Sequence, residues 1–179
     1  MFKLLDGENL YTEVMEKGIL RARSSVAIAT ANVKDMHVML EGYDRALALP
    51  RIFEELVGRR IEVKLLHGAI PSQAFLEDLS SSVTLRNTAL FDMRRCIRVH
   101  MKAVIIDNRK LYMGSANLTG AGLGMKSAGR RNFEVGILTD SIDMVDKVAD
   151  IFYSIWEGVN CGTCGRRDVC VAPLETPFD

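Results

Sequence analysis

Between His100 and Asn117 the chain gathers five chemistry-bearing side chains at the spacing His-x-Lys, four residues, Asp, six residues, Gly-Ser-x-Asn. Two apart on an extended strand, His100 and Lys102 project from one face. A neutral imidazole beside an ammonium suits an anion held between them. Ser115 and Asn117 follow Gly114 through a turn, and their short side chains can donate hydrogen bonds to that anion. A tetrahedral phosphate matches this donor set. Farther along, Asn132 and Glu134 again alternate to one side, where a carboxylate can hold a histidine in one tautomer and orientation. Together these groups read as a nucleophile, a clamp and an orienter. Taken singly, each also has an ordinary reading: a satisfied core histidine, a solvated lysine, a simple turn.

Such groups need elements to hold them. Asp6 reads as the N-cap of a helix over 7–23, with Leu10, Val14, Met15 and Ile19 as its apolar stripe. Residues 26–31, apolar on both alternating faces, read as a central strand covered on both sides. Pro50 opens a helix to Val57, a strand follows over 61–66, Pro71 opens a short helix through Leu79, and 83–86 is a short strand. Strand segments at 96–99 and 102–106, a turn at 107–110 and a returning strand at 111–113 form a hairpin. A glycine-rich stretch precedes a strand over 133–138. Thr139 or Asp140 caps a last helix with Ile142, Val145, Val148, Phe152 and Ile155 on one face, ending before Gly158. Helices and strands alternate around a hairpin, so the expected class is α/β, with a mixed central sheet flanked by helices on both faces.

The motif resembles the signature of the phospholipase D superfamily, matched at His100, Lys102, Asp107, Gly114, Ser115 and Asn117. The strand over 26–31 and the Asn132 and Glu134 pair are also similar, so the resemblance spans about residues 1–158. It implies a phospholipase D-like fold and a phosphodiesterase that needs no catalytic cofactor and works through a covalent phosphohistidine. In that reading His100 is the nucleophile, Lys102, Ser115 and Asn117 bind phosphate, and Glu134 orients a catalytic histidine. Asp107, within the signature, ends a strand and can serve the turn through Asn108 and Arg109 rather than the chemical step. Displacing an alkoxide requires a nucleophile on one side and an acid on the other, and the acid then serves as base for water. One histidine cannot do both. This chain carries one copy of the signature, and its likeness to the small single-copy branch implies a homodimer with His100 of each subunit facing the other across the two-fold axis. His67 and His37 are the alternatives within one chain.

The 179 residues, 48% hydrophobic and 26% charged, match one ordinary globular domain and exclude a disordered or fibrous chain. Met1 to Leu10 lacks the pattern of a signal peptide, and no apolar run reaches the ~18 residues of a membrane span, so a cytoplasmic protein is expected. Equal numbers of basic and acidic residues give a net charge of zero. Residues 91–131, however, hold nine cations (Arg94, Arg95, Arg98, Lys102, Arg109, Lys110, Lys126, Arg130 and Arg131) against Asp92 and Asp107. Around the motif the excess is thus +7, and −7 elsewhere cancels it, so Arg130 and Arg131 become candidates for binding a nucleic-acid backbone. A nuclease acting on DNA or RNA is the leading expectation. A phospholipase D-type lipid hydrolase, for which the apolar loop 120–125 could admit acyl chains, and a catalytically idle nucleic-acid-binding module are the alternatives.

Residues 159–179 form a cysteine-rich tail after the catalytic domain. Cys161-x2-Cys164 can chelate one ion, Cys170 adds a third thiol, and Cys96 is the remaining cysteine of the chain. Structural zinc on Cys96, Cys161, Cys164 and Cys170 is expected, with an iron–sulfur cluster as the alternative and three exposed thiols as the ordinary reading.

Overall fold

The alternation along residues 26–31 is realised as a strand, β2 (Ser25–Thr30), in the interior of a seven-stranded sheet in a computed structural model that describes every residue except 8, 35, 41, 171, 178 and 179. In chain order the elements are β1 (Phe2–Asp6), a π-helical turn (Tyr11–Glu16), a 3-10 turn (Ile19–Arg21), β2, β3 (His37–Val38), β4 (Leu47–Ala48), α1 (Leu49–Gly58), β5 (Glu62–His67), α2 (Gln73–Ser81), α3 (Val83–Arg86), β6 (Phe91–Arg95), β7 (Ala103–Ile106), β8 (Lys110–Gly114), β9 (Val135–Thr139) and α4 (Ile142–Trp156). The sheet order is β1-β9-β8-β7-β2-β5-β6. β2, β5 and β6 run parallel; β7, β8, β9 and β1 continue antiparallel.

Side-chain alternation splits the interior into two cores. Val26 and Ile28 of β2, Val63 and Leu65 of β5, and Val104 and Ile106 of β7 join Ile52, Phe53 and Phe75 on one face. Ala27, Ala29, Leu66, Ala103 and Ile105 meet Val145, Phe152 and Trp156 of α4 on the other. The sheet is therefore covered by helices on both faces, and the expected fold class holds. Small residues on the α4 side of β2 leave room for Trp156, which stacks on Phe152 with ring centroids 5.5 Å apart.

Several local expectations are corrected. Asp6 does not cap a helix. It ends β1, an edge strand paired with β9, and the four apolar residues expected on a helix over 7–23 are buried on irregular helical turns instead. Residues 83–86 are one helical turn, because the Ser82 hydroxyl accepts the Leu85 amide at 3.0 Å and nucleates it. Residues 96–99 are a turn closed by Val99 N–H to the Cys96 carbonyl at 2.9 Å, and the strand lies earlier, in β6. Helix α2 starts at Gln73 rather than Pro71. Ser141, not Thr139 or Asp140, occupies the N-cap of α4, and Ile142 is exposed. Gly158 ends that region at φ +69, as its position implied.

Candidate active site

One edge of the sheet collects the site. In the strand registers Ala29 stands beside Ala103, Ala103 beside Met113, and Gly114 beside Gly136. The carboxyl ends of β2, β5 and β8 and the amino ends of β7 and β9 therefore share that edge. Residues 100–102 lead into β7 without being part of it, and 132–134 lead into β9 in the same way. The contacts expected from a spacing of two are made in both segments. Lys102 Nζ lies 3.2 Å from His100 Nδ1 and 2.9 Å from the His100 carbonyl oxygen, and Lys102 O accepts Gly114 N–H at 3.1 Å. The nucleophile candidate and its cation are thus held together and tied to the Gly-Ser turn.

Ser115 and Glu134 form a second unit. The Ser115 hydroxyl donates to Glu134 Oε2 and accepts Val135 N–H at 3.1 Å, while Asn132 Nδ2 donates to Glu134 Oε1 at 3.1 Å. Within this chain Glu134 is engaged by Ser115 and Asn132, and the Ser115 proton is engaged by Glu134. The donors at hand for a phosphate are accordingly the Lys102 ammonium and the Asn117 amide. Asn117 Oδ1 accepts from Asn32 N–H at 3.1 Å and from the Thr30 hydroxyl at 3.3 Å, which leaves its two N–H donors for an anion. Thr30 Oγ1 also accepts Leu118 N–H at 3.1 Å. Thr30 and Asn32 are positioning residues that the motif did not reveal. The available signal was a polar Thr-x-Asn just past the apolar run of β2.

The backbone at this edge is close-packed. A Cβ on Gly114 would lie 2.5 Å from Val135 O and 2.6 Å from Gly136 Cα, so the Gly of Gly-Ser is a steric requirement of the β8–β9 pairing. Beneath it the Tyr112 ring is buried, and burial pushes its phenol up to about 12.

Other candidates lie elsewhere. Asp107 is at the opposite end of β7, roughly 16 Å from Lys102 at about 3.3 Å per residue. Its Oδ1 accepts the amides of Arg23 at 2.9 Å, Ser24 at 2.7 Å and Ser25 at 3.1 Å. Burial alone would raise its pKa, but the bonds from Ser24, Arg23 and Ser25 outweigh that and hold the carboxyl below its usual range. Asp107 and Asn108 both have positive φ, 54° and 51°, at the centre of a turn closed by Arg109 N–H to the Ile106 carbonyl at 3.0 Å, within the three-residue connection between β7 and β8. His67 is 4% exposed with Nδ1 2.8 Å from Ala69 O, and burial holds its pKa below the ordinary histidine value. His37 lies on β3, paired with Ala48.

The nine cations are dispersed. Arg94 pairs with Asp92 and stacks over Trp156 at 4.6 Å, Arg95 pairs with Glu175 at 2.5 Å, and Arg98 points at Cys164 Sγ. Arg109 and Lys110 sit at the Asp107 end of the sheet. Lys102 is at the site, Lys126, Arg130 and Arg131 lie on the loop that leads to β9, and Arg131 lines a hollow with Asn132 and Glu134. Phe133, between Asn132 and Glu134, projects fully into solvent at 107% exposure. With Arg131, Asn132 and Glu134 it lines a hollow beside the site. The loop 120–125 turns inward: Leu123 is 2% exposed and Met125 packs on the core.

The model of the family described as "Cardiolipin synthase, PLD-like domain" matches residues 15–156. The chain belongs to this PLD-like domain family. Among solved structures it is similar to NucT from Helicobacter pylori, at 18% identity and a TM-score of 0.61, covering 88% of this chain and 96% of that one. It is also similar to Nuc from Salmonella typhimurium, a phospholipase D family member, at 15% identity, a TM-score of 0.58 and coverage of 88% and 95%. TrmBL2, an archaeal chromatin protein described as showing a novel mode of DNA binding, matches at 14% identity and a TM-score of 0.54, covering 87% of this chain and 52% of that one. A comparison with curated proteins returns no match.

As a member of the phospholipase D superfamily the PLD-like domain carries phosphodiesterase chemistry, and His100, Lys102, Ser115 and Asn117 gather with Glu134 at one end of its sheet. The match stops at Trp156. Cys161, Cys164 and Cys170 therefore lie beyond it, in a tail that returns to β6 through Arg95 N–H bonded to Glu175 O at 3.0 Å. All four cysteines are free and half-buried. Backbone N–H of Arg166 and the Arg98 guanidinium lower the pKa of the Cys164 thiol. No helix of the described residues is long and apolar enough to cross a membrane.

Proposed function

We propose that this PLD-like protein is a nuclease that acts as a homodimer through a phosphohistidine on His100. The observation that carries the reading is the pairing of His100 with Lys102 at 3.2 Å on the edge that also holds Ser115, Asn117 and Glu134. His67 is buried and its Nδ1 is engaged, so within one chain it is poorly placed to serve as the acid. His100 of the partner subunit supplies that acid in the proposal. An imidazole nitrogen of His100 attacks phosphorus, the bond from phosphorus to the leaving oxygen breaks, and the partner subunit's His100 gives that oxygen its proton. The same partner imidazole then takes a proton from water, whose oxygen attacks phosphorus and releases His100. Lys102 and the Asn117 amide offset the charge on the nonbridging oxygens.

Nucleic acid is favoured over lipid by three features. Loop 120–125 packs inward and leaves no apolar mouth there. Arg131 lines a hollow with Asn132 and Glu134, and Lys126 and Arg130 lie on the same loop. Phe133 offers an exposed ring in the hollow it shares with Asn132 and Glu134, suited to stacking on an unpaired base. Neighbours named NucT and Nuc, and one described with DNA binding, support the same reading. The family description favours a lipid phosphodiester, so the test is a panel of single-stranded DNA, duplex DNA, RNA and phosphatidyl lipid with wild type and His100→Ala. We expect hydrolysis of a nucleic acid by wild type, loss of at least about 10³-fold in the variant, and dimers by sedimentation. Hydrolysis of lipid alone, full activity of H100A, or full activity of a strictly monomeric preparation would each overturn the proposal.

A further inference from the structure

Three soft thiols line one cavity and a fourth lines an adjoining hollow, in a region that the phosphodiesterase chemistry does not use. After α4, Cys161 N–H bonds Gly158 O at 2.9 Å and Cys164 N–H bonds Cys161 O at 3.3 Å, two successive tight turns. These turns place Cys161 and Cys164 with Cys96 on the wall of one cavity of about 290 Å³, shared with Arg98, Ile155 and Gly158. A Cβ on Gly158 would stand 3.4 Å from Cys161 Sγ, so this glycine leaves the sulfur its space. Cys170, whose N–H bonds Arg166 O at 2.9 Å, lines the adjoining hollow with Arg95 and Ile97, the two neighbours of Cys96. Strand pairing of Arg95 with Glu175 anchors the tail there.

We propose that Cys96, Cys161, Cys164 and Cys170 bind one zinc ion that fastens the tail to the turn leading into His100. Four thiolates match the tetrahedral, sulfur-rich coordination that zinc accepts in structural sites, and Cys-x2-Cys supplies the chelating half. Binding releases four protons from four thiols and leaves a net charge of −2 on the centre. Cations stand ready for that charge: Arg98 Nη1 is 3.5 Å from Cys164 Sγ, and Arg167 Nη1 is 3.5 Å from Cys161 O. Among the described residues no three metal-binding side chains already meet at a common point, so the ion draws the sulfurs together across the cavity. Cys96 lies four residues before His100, and the turn between them packs on Gly68, where a Cβ would stand 2.3 Å from Val99 O. The ion would thus stiffen the backbone that delivers His100.

Elemental analysis of the full chain, purified without chelator, tests the site. One zinc per chain, four thiols that react with a thiol reagent only after chelation, and loss of the zinc in Cys96→Ser are the expected results. Should that variant fail to fold, the cobalt-substituted wild type decides, because four thiolates around cobalt give a tetrahedral, sulfur-dominated absorption spectrum. Zinc retained at full occupancy in C96S, iron with sulfide in place of zinc, a disulfide by mass, or no bound metal would each overturn the proposal.

Discussion

Replacing Asp107 by Asn separates a signature residue's structural duty from catalysis. Asn tolerates the positive φ of 54° at this position, so the hairpin turn survives. What is lost is a carboxylate that accepts three consecutive amides, Arg23, Ser24 and Ser25, and the Ser24 hydroxyl at 3.0 Å. Hydrogen bonds to a charged acceptor are worth about 1.5–3 kcal/mol each. Asn keeps one acceptor oxygen and the site is partly open to solvent, so the discounted cost is about 2 kcal/mol. For a chain of this size that lowers Tm by about 4–8 °C. Asp107 lies at the far end of β7 from Lys102, so turnover of any cleavable diester at 25 °C should stay within about threefold, under 1 kcal/mol of barrier.

The pH dependence has a definite sign. The folded carboxyl is held below its ordinary pKa, so its contribution is complete above the unfolded value of about 4 and disappears as pH falls through the folded value. Thermal melts of wild type and D107N should therefore differ by a constant amount from neutral pH down to about 5 and converge only in stronger acid. Unchanged Tm with activity lost by about 10³-fold would refute the reasoning, because it would place the carboxylate in the chemical step after all.

Gly114→Ala should cost about 3 kcal/mol or more in urea unfolding, since its Cβ would meet backbone on two sides; a wild-type melt would contradict the close-packed edge. His67→Gln should keep diester hydrolysis. It should also flatten the decline in stability between pH 7 and 5, because a buried imidazole with lowered pKa stabilises the fold above its unfolded value and loses that contribution as acid forces it to charge. A loss of activity beyond about 100-fold at unchanged stability would make His67 the acid. Phe133→Ala should weaken binding of a single-stranded oligonucleotide by about 1–3 kcal/mol, roughly 5–150-fold, while leaving hydrolysis of a small chromogenic diester intact; equal affinity by fluorescence anisotropy would remove the stacking role.

The central part of this fold was legible because burial on both faces writes itself into β2 and β5 as continuous apolar runs. Edge structure leaves a weaker trace. In β1 only Leu5 is buried among Phe2, Lys3, Leu4, Leu5 and Asp6, so no alternation separated it from the apolar stripe that follows. Val83 and Thr84 have strand-forming side chains, yet a single serine hydroxyl outweighs them, and Val83 is left exposed. The His100 and Lys102 contact expected from the spacing survived the absence of a regular strand at 100–102. Glu134 shows the limit of spacing arguments. Its place beside Asn132 followed from the period of two, but its bond to Ser115 depends on the β8–β9 register. Thr30 and Asn32 required the same long-range knowledge.

Charge makes the strongest case for reading sequence through the fold. Summed along the chain, residues 91–131 form one basic block, but β7 is a rod that carries Arg109 and Lys110 to the wrong end of it. Arg94 and Arg95 are consumed by Asp92 and Glu175, and Arg98 faces the cysteine cavity. What the site keeps is Lys102, with Lys126, Arg130 and Arg131 on the loop that also holds Asn132 and Phe133. A phosphodiester backbone spans several phosphates, and so small a basic set addresses few of them from one chain. In the proposed dimer, two copies facing across this end of the sheet would double the cations, bring two His100 side chains to one phosphorus and present two Phe133 rings. The same pairing thus answers both the chemical need for a second histidine and the electrostatic need for a longer basic track, which is why dimerisation is central to the nuclease reading.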